Sequence, residues 1–131
     1  MSAPESKKIL VVDDDPDIQK FCRTILEKEG YAVVPALSAA EGQRLAQSER
    51  PDLVVLDIMM EASDSGFHLA GWLSEQSPGL PVLMLSSIAD AAGQVFDTST
   101  LPVAELIPKP IEPKELIAKI EKLLARRAPS N

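Results

Sequence analysis

Short apolar runs rich in valine and leucine alternate along the chain with longer segments in which apolar residues recur every three or four positions. The runs are typical of β-strands buried on both faces, and the longer segments are typical of amphipathic helices. The clearest of these strand-like segments is 52–57, which directly follows Pro51 and ends in the carboxylate of Asp57. Strands and helices that alternate in this way predict a parallel sheet with helices on both faces.

Five strands are predicted from these runs, at residues 9–12, 31–34, 52–57, 80–85 and 103–107. Helical periodicity follows four of them, in segments that begin near residues 16, 39, 67 and 113. The stretch 88–102 has no clear pattern, although residues 89–96 could form a short helix. We therefore expect one α/β unit without internal repeats or a linker.

Residues that start and stop secondary structure support these boundaries. Asp15 followed by Pro16 is typical of a helix start, and Gly30 of a helix end. The sequence from Ser38 to Glu41 matches a capping box that opens the second helix. Pro35 is expected to end the second strand after residue 34.

Length and composition indicate one globular domain over residues 1–131. The chain is 45% hydrophobic, and its 20 acidic and 13 basic residues give a net charge of −7. This charge disfavours binding to nucleic acid or to an anionic membrane. The first six residues do not look like a secretory signal, so a cytoplasmic location is expected. The single cysteine, Cys22, falls on an apolar helical face and is expected in the core.

Several chemically capable residues follow predicted strands at the point where each strand ends: Asp13, Asp14, Asp57, Ser86 and Lys109. Parallel strands bring these ends to one edge of the sheet, where open α/β sheets bind ligands. Carboxylates forced together favour a hard divalent cation such as Mg²⁺. A carboxylate nucleophile, a metal, a lysine and a hydroxyl are the groups that phosphoryl transfer needs. Each of these residues alone also has an ordinary structural interpretation. Acids that follow strands often serve only as helix caps, and a lone lysine is often only a solvated surface charge.

Four motifs carry a resemblance to a known family: ILVVDD at 9–14, DLVVLDIMM at 52–60, PVLMLS at 81–86 and KP at 109–110. Together they resemble the receiver domain of two-component response regulators over nearly the whole chain, which implies a domain core at about 7–126. The resemblance implies a flavodoxin-like fold with strand order 2-1-3-4-5. It also implies that Asp57 accepts a phosphoryl group from a phosphohistidine.

The same resemblance implies roles for the neighbouring residues. Asp14, Asp57 and the backbone carbonyl of Met59 would bind Mg²⁺, and Asp13 would act mostly through water. Ser86 would bind a phosphoryl oxygen, and Lys109 would take the place of the family's invariant lysine. The partners implied are a sensor histidine kinase or histidine phosphotransfer protein, an effector domain or downstream protein, and, as a further option, a second copy of the chain.

The sequence departs from the family pattern in the regions next to these motifs. Glu61 stands where proline is usual, and the family's Asp-Gly pair lies one residue closer than Asp64-Ser65-Gly66 suggests, so the loop after Asp57 is expected to be one residue longer. Leu106 replaces a common aromatic residue, and residues 101–104 replace a small Gly-Ala pair. The loop after Asp57 and the surface that reports phosphorylation are therefore expected to differ.

Two other functions are alternatives to the phosphoaccepting receiver. A phosphatase of the haloacid dehalogenase type needs a second aspartate two residues after the nucleophile, but position 59 is Met59. The single histidine, His68, does not supply a replacement. A receiver-like docking domain that is never phosphorylated is disfavoured, because all five site positions carry competent side chains. We expect a module that dephosphorylates itself slowly and is not a dedicated enzyme.

Overall fold

A computed structural model describes residues 7–57, 65–77, 79–86, 105–108 and 112–126. These residues form five strands and four helices. The strands are β1 (Lys8–Val12), β2 (Ala32–Ala36), β3 (Leu53–Asp57), β4 (Val82–Ser86) and β5 (Glu105–Pro108). The helices are α1 (Pro16–Lys28), α2 (Ala39–Glu49), α3 (Ser65–Gln76) and α4 (Pro113–Arg126).

The five strands form one parallel sheet in the order β2-β1-β3-β4-β5. This order confirms the predicted flavodoxin-like topology. In the register, Val12 of β1 lies opposite Leu56 of β3, which in turn lies opposite Met84 of β4. The carboxyl ends of the three central strands therefore meet at one edge of the sheet.

Alternate residues of the central strands face two separate cores, one on each side of the sheet. Ile9 and Val11 of β1 are fully buried beneath α1 and α4, together with Leu26. Leu10 and Val12 are fully buried on the opposite face, beneath α2 and α3. Both faces of β1 and β3 are apolar because helices cover both, as predicted. Cys22 is also fully buried in the first core, as expected.

The predicted caps are present at α1 and α2. Asp15 accepts a hydrogen bond from the backbone N–H of Asp17 at 2.9 Å. At α2, the backbone N–H of Glu41 donates to Ser38 Oγ at 3.1 Å. The return bond of this capping box runs from the N–H of Leu37, not of Ser38, to Glu41 Oε1 at 2.8 Å. Local side-chain chemistry therefore fixes where both helices begin.

Several boundaries differ from the sequence prediction by one or two residues, and two of these differences place a residue in an element that was predicted to exclude it. Pro35 was expected to end the second strand, but β2 continues through it to Ala36, with Pro35 opposite Val11. Proline is tolerated here because β2 is the edge strand and has only one neighbour to bond. Ser65 and Gly66, expected in a loop, belong to the first turn of α3. None of the helices in the described ranges is long and apolar enough to traverse a bilayer.

Candidate functional site

The carboxylates of Asp13, Asp14 and Asp57 lie together at the carboxyl edge of the sheet. One oxygen from each lies within 4.8 Å of those of the other two. Asp57 is the last residue of β3, and Asp13 and Asp14 directly follow β1, its neighbour in the sheet. The register of these parallel strands thus brings three acids from two separate sequence motifs into one cluster, called the acid cluster below.

Burial divides the acid cluster into an inner and an outer part. Asp13 is 0% exposed and Asp57 is 3% exposed, whereas Asp14 is open to solvent. Two buried carboxylates at this spacing repel each other strongly, because little water separates them. A hard cation with oxygen ligands suits this arrangement, since it would offset the repulsion and could enter from the side of Asp14.

Asp13 is held in place by several hydrogen bonds to its own surroundings. Its carboxylate oxygen Oδ1 accepts from the backbone N–H of Asp15 at 2.9 Å. Its backbone N–H donates to the carbonyl of Ala36 at 3.0 Å, and its carbonyl accepts from Gln19 Nε2 at 3.0 Å. The end of β2 and the start of α1 therefore both position this acid.

Replacing Asp13 with asparagine should stabilise the protein in buffer free of divalent cations. Asparagine keeps an oxygen that can accept the Asp15 bond, but it removes one of three clustered negative charges. We expect the free energy of unfolding to rise by about 1 kcal/mol, measured by urea denaturation.

Asp17→Asn is the matched control for this prediction, because Asp17 is exposed and lies in the first turn of α1. A negative charge there favours the helix dipole, so its loss should slightly lower stability. A decrease in stability for both variants would show that repulsion within the acid cluster is not significant.

The other predicted site residues are described only in part. Ser86 is the last residue of β4 and lies opposite Pro108, the last residue of β5. Lys109 follows Pro108 directly in the sequence but lies outside the described residues, as does Met59. The altered segment at residues 61–64 and the stretch 87–104 are outside them too. The roles assigned to these residues stay predictions.

Gln19 lies next to the acid cluster, although the sequence pattern does not predict it there. It lies on α1 between the apolar positions Ile18 and Phe21, yet it is only 7% exposed. Its side-chain nitrogen contacts backbone carbonyls around the acid cluster. A polar residue next to the apolar stripe of a helix is usually solvated, so the pattern alone gave no signal of this contact.

A comparison with known protein families shows which family this fold belongs to. The profile described as response regulator receiver domain matches residues 9–121, which include both sequence motifs of the acid cluster. The chain belongs to this family. It is thus a receiver domain, the signal-receiving module of response regulators, and this confirms the resemblance seen in the sequence.

Two of the curated relatives are transcriptional regulators of about twice the length. The receiver domain is 40% identical over 120 residues to the probable transcriptional regulator ycf27 of Cyanophora paradoxa, covering 92% of this chain and 49% of the relative. It is 35% identical over 121 residues to the alkaline phosphatase synthesis transcriptional regulatory protein PhoP of Bacillus subtilis (strain 168), covering 92% and 50%. The chain therefore spans about half the length of these relatives.

Solved receiver structures have the same fold. The receiver domain of NtrX from Brucella abortus matches with a TM-score of 0.82 and 31% identity, covering 90% of this chain and 98% of that one. A putative response regulator from Chloroflexus aurantiacus matches with a TM-score of 0.84 and 27% identity, covering 93% and 100%. The family transduces signals and is not a catalytic one, so the haloacid dehalogenase alternative gains no support.

Proposed function

We propose that this receiver domain accepts a phosphoryl group on Asp57 from a phosphohistidine of a sensor kinase or a histidine phosphotransfer protein. The observation that carries the proposal is the acid cluster, in which the buried Asp57 lies close to two further carboxylates. A carboxylate oxygen of Asp57 forms a bond to phosphorus while the bond between phosphorus and the imidazole nitrogen breaks. The electron pair of that bond stays on the imidazole.

The position of Asp57 suits a nucleophile. β3 is paired on both sides, with β1 and with β4, and Asp57 itself lies opposite Leu85. Pairing on both sides fixes the backbone of β3, and so the orientation of its last side chain. A fixed nucleophile needs little reorganisation before attack, which favours the reaction.

We further propose that Mg²⁺ is the cation of this site, held by Asp14, Asp57 and the backbone carbonyl of Met59, with Asp13 acting mostly through water. The described residues fit it, because a cluster of carboxylate oxygens is the donor set that Mg²⁺ prefers. When bound, the ion supplies positive charge close to the transferring phosphoryl group.

We include Ser86 and Lys109 in the proposed site because of their positions in the sequence. Ser86 ends β4, the neighbour of β3, and Lys109 directly follows β5, the neighbour of β4. We propose that the hydroxyl of Ser86 donates to a phosphoryl oxygen and that Lys109 places a fixed positive charge near it. Both interactions are charge-assisted and strengthen as negative charge develops on those oxygens.

The phosphorylated domain is proposed to act through altered binding to an effector domain or a downstream protein, or to a second copy of itself. The two relatives described above are transcriptional regulators about twice as long, which is consistent with a fused effector. The net charge of −7 makes direct binding of nucleic acid by this domain unfavourable. We also propose a cytoplasmic location and slow self-dephosphorylation.

Labelling by acetyl phosphate tests the proposal. Intact-mass measurement should show one added phosphoryl group per chain when Mg²⁺ is present, and none when EDTA removes it. Equal labelling with and without EDTA would contradict the proposed metal. Continuous release of phosphate from a phosphate ester, at the rate of a true phosphatase, would instead favour the haloacid dehalogenase alternative.

A further inference from the structure

Gln19 connects three backbone segments next to the acid cluster. Its side-chain nitrogen Nε2 lies 2.9 Å from the carbonyl oxygen of Val11, 3.0 Å from that of Asp13 and 2.8 Å from that of Ala36. Val11 belongs to β1, Asp13 to the turn that follows it, and Ala36 ends β2. The two N–H groups of this one side chain, with one of them shared between two carbonyl oxygens, therefore connect both strand ends to the turn that carries Asp13.

The orientation of this amide group is fixed by chemistry. All three neighbours are carbonyl oxygens, which only accept, so the –NH₂ group and not the oxygen must face them. The oxygen Oε1 is buried and has no hydrogen-bond partner among the described residues. The side chain is thus used entirely as a donor, and it leaves a buried acceptor unsatisfied, which is unfavourable by itself.

A second set of bonds links the same turn to α1. The backbone N–H of Gln19 donates to the carbonyl of Asp15, and the N–H of Asp15 donates to the Asp13 carboxylate. Asp13 is therefore held at its carboxylate by Asp15 and at its carbonyl by Gln19. If the Gln19 bonds were lost, the turn could move relative to β2, and the carboxylate would move with it.

We propose that Gln19 is a positioning residue for the cation site: its side-chain amide fixes the turn between β1 and α1, and so fixes the Asp13 carboxylate where a divalent cation can be bound. This inference rests on the proposed Mg²⁺ site. A neutral amide suits the task, because it donates hydrogen bonds without adding positive charge beside a site that must attract a cation. A lysine or arginine could donate as well but would oppose cation binding by charge.

Mg²⁺ titration of the folded Gln19→Met variant tests the proposal. Methionine has a similar length and volume but no donor, so we expect the dissociation constant for Mg²⁺, measured by NMR titration, to rise about tenfold. Gln47→Met, the same change at an exposed position of α2, should bind as the wild type does. An unchanged dissociation constant for Gln19→Met would overturn the proposal.

A second control distinguishes the positioning role of Gln19 from a general contribution to stability. Ile120→Val shortens a fully buried residue of α4 and should lower stability without touching the acid cluster. If Ile120→Val weakened Mg²⁺ binding as much as Gln19→Met does, general destabilisation would explain the result and the proposal would be wrong.

The wild type provides a test that does not depend on the folding of any variant. Addition of Mg²⁺ should shift the side-chain NH₂ resonances of Gln19 and slow their exchange with solvent, while those of Gln47 stay unchanged. Unchanged Gln19 resonances in a protein that binds Mg²⁺ would overturn the positioning role alone. Failure of the wild type to bind Mg²⁺ would overturn the proposed metal site, and the positioning role with it.

Discussion

Asp57→Asn should abolish phosphorylation by acetyl phosphate. Asparagine has nearly the same shape, but its amide oxygen is a far weaker nucleophile than a carboxylate, so no acyl phosphate should form. A loss of at least one hundredfold in the labelling rate is expected, equivalent to about 2.7 kcal/mol in the barrier. Intact-mass measurement over time, in Mg²⁺, gives this rate directly.

The effect of Asp57→Asn on the labelling rate must be distinguished from the effect of removing any nearby acid. Asp17→Asn removes an exposed acid from the first turn of α1 and should be labelled at the wild-type rate. Peptide mapping of the labelled wild type should place the phosphoryl group on Asp57 alone. Labelling of Asp57→Asn at a wild-type rate would show that another residue is the acceptor.

The acid cluster could be predicted because it depends mainly on strand order. Val12 and Leu56 end apolar runs, and acids follow each run directly, so any parallel pairing of the two strands brings Asp13 and Asp57 to one edge. No side-chain detail is needed for this step. The same reasoning correctly predicted helices on both faces, because uninterrupted apolar strands require cover on both sides.

Other features could not be predicted, because they depend on which strand lies at the edge or on contacts distant in sequence. A proline would interrupt a central strand, but an edge strand such as β2 can contain Pro35. Only the strand order shows that β2 lies at the edge of the sheet. Gln19 is separated by 17 residues from Ala36, whose carbonyl it binds. Helical periodicity says which face of α1 is apolar, but not which carbonyls at the ends of β1 and β2 need a donor.

The close approach of α2 to the end of β1 depends on Gly42. A Cβ atom at this position would lie 2.9 Å and 3.1 Å from the two Cγ atoms of Val12, and 3.2 Å from Leu69 Cδ2. Val12 is fully buried, and its branched side chain is stiff, so it cannot easily turn away. An added methyl group therefore has to push α2 off the sheet or distort the end of β1.

Gly42→Ala should consequently destabilise the protein, whereas Gly71→Ala should stabilise it. Both residues lie within helices, where alanine is favoured over glycine by about 1 kcal/mol. A Cβ at Gly71 would meet no atom within 4 Å, so Gly71→Ala should show most of that gain. At Gly42, overpacking costs about 1–3 kcal/mol and should exceed the gain.

Urea denaturation of the two variants should give free energies of unfolding that differ by about 2 kcal/mol, with Gly42→Ala the less stable. Equal stabilisation of both would show that Val12 and Leu69 give way without loss. Because Val12 directly precedes Asp13, a displaced β1 would also move that carboxylate. We therefore expect Gly42→Ala, and not Gly71→Ala, to be labelled more slowly by acetyl phosphate even where it is fully folded.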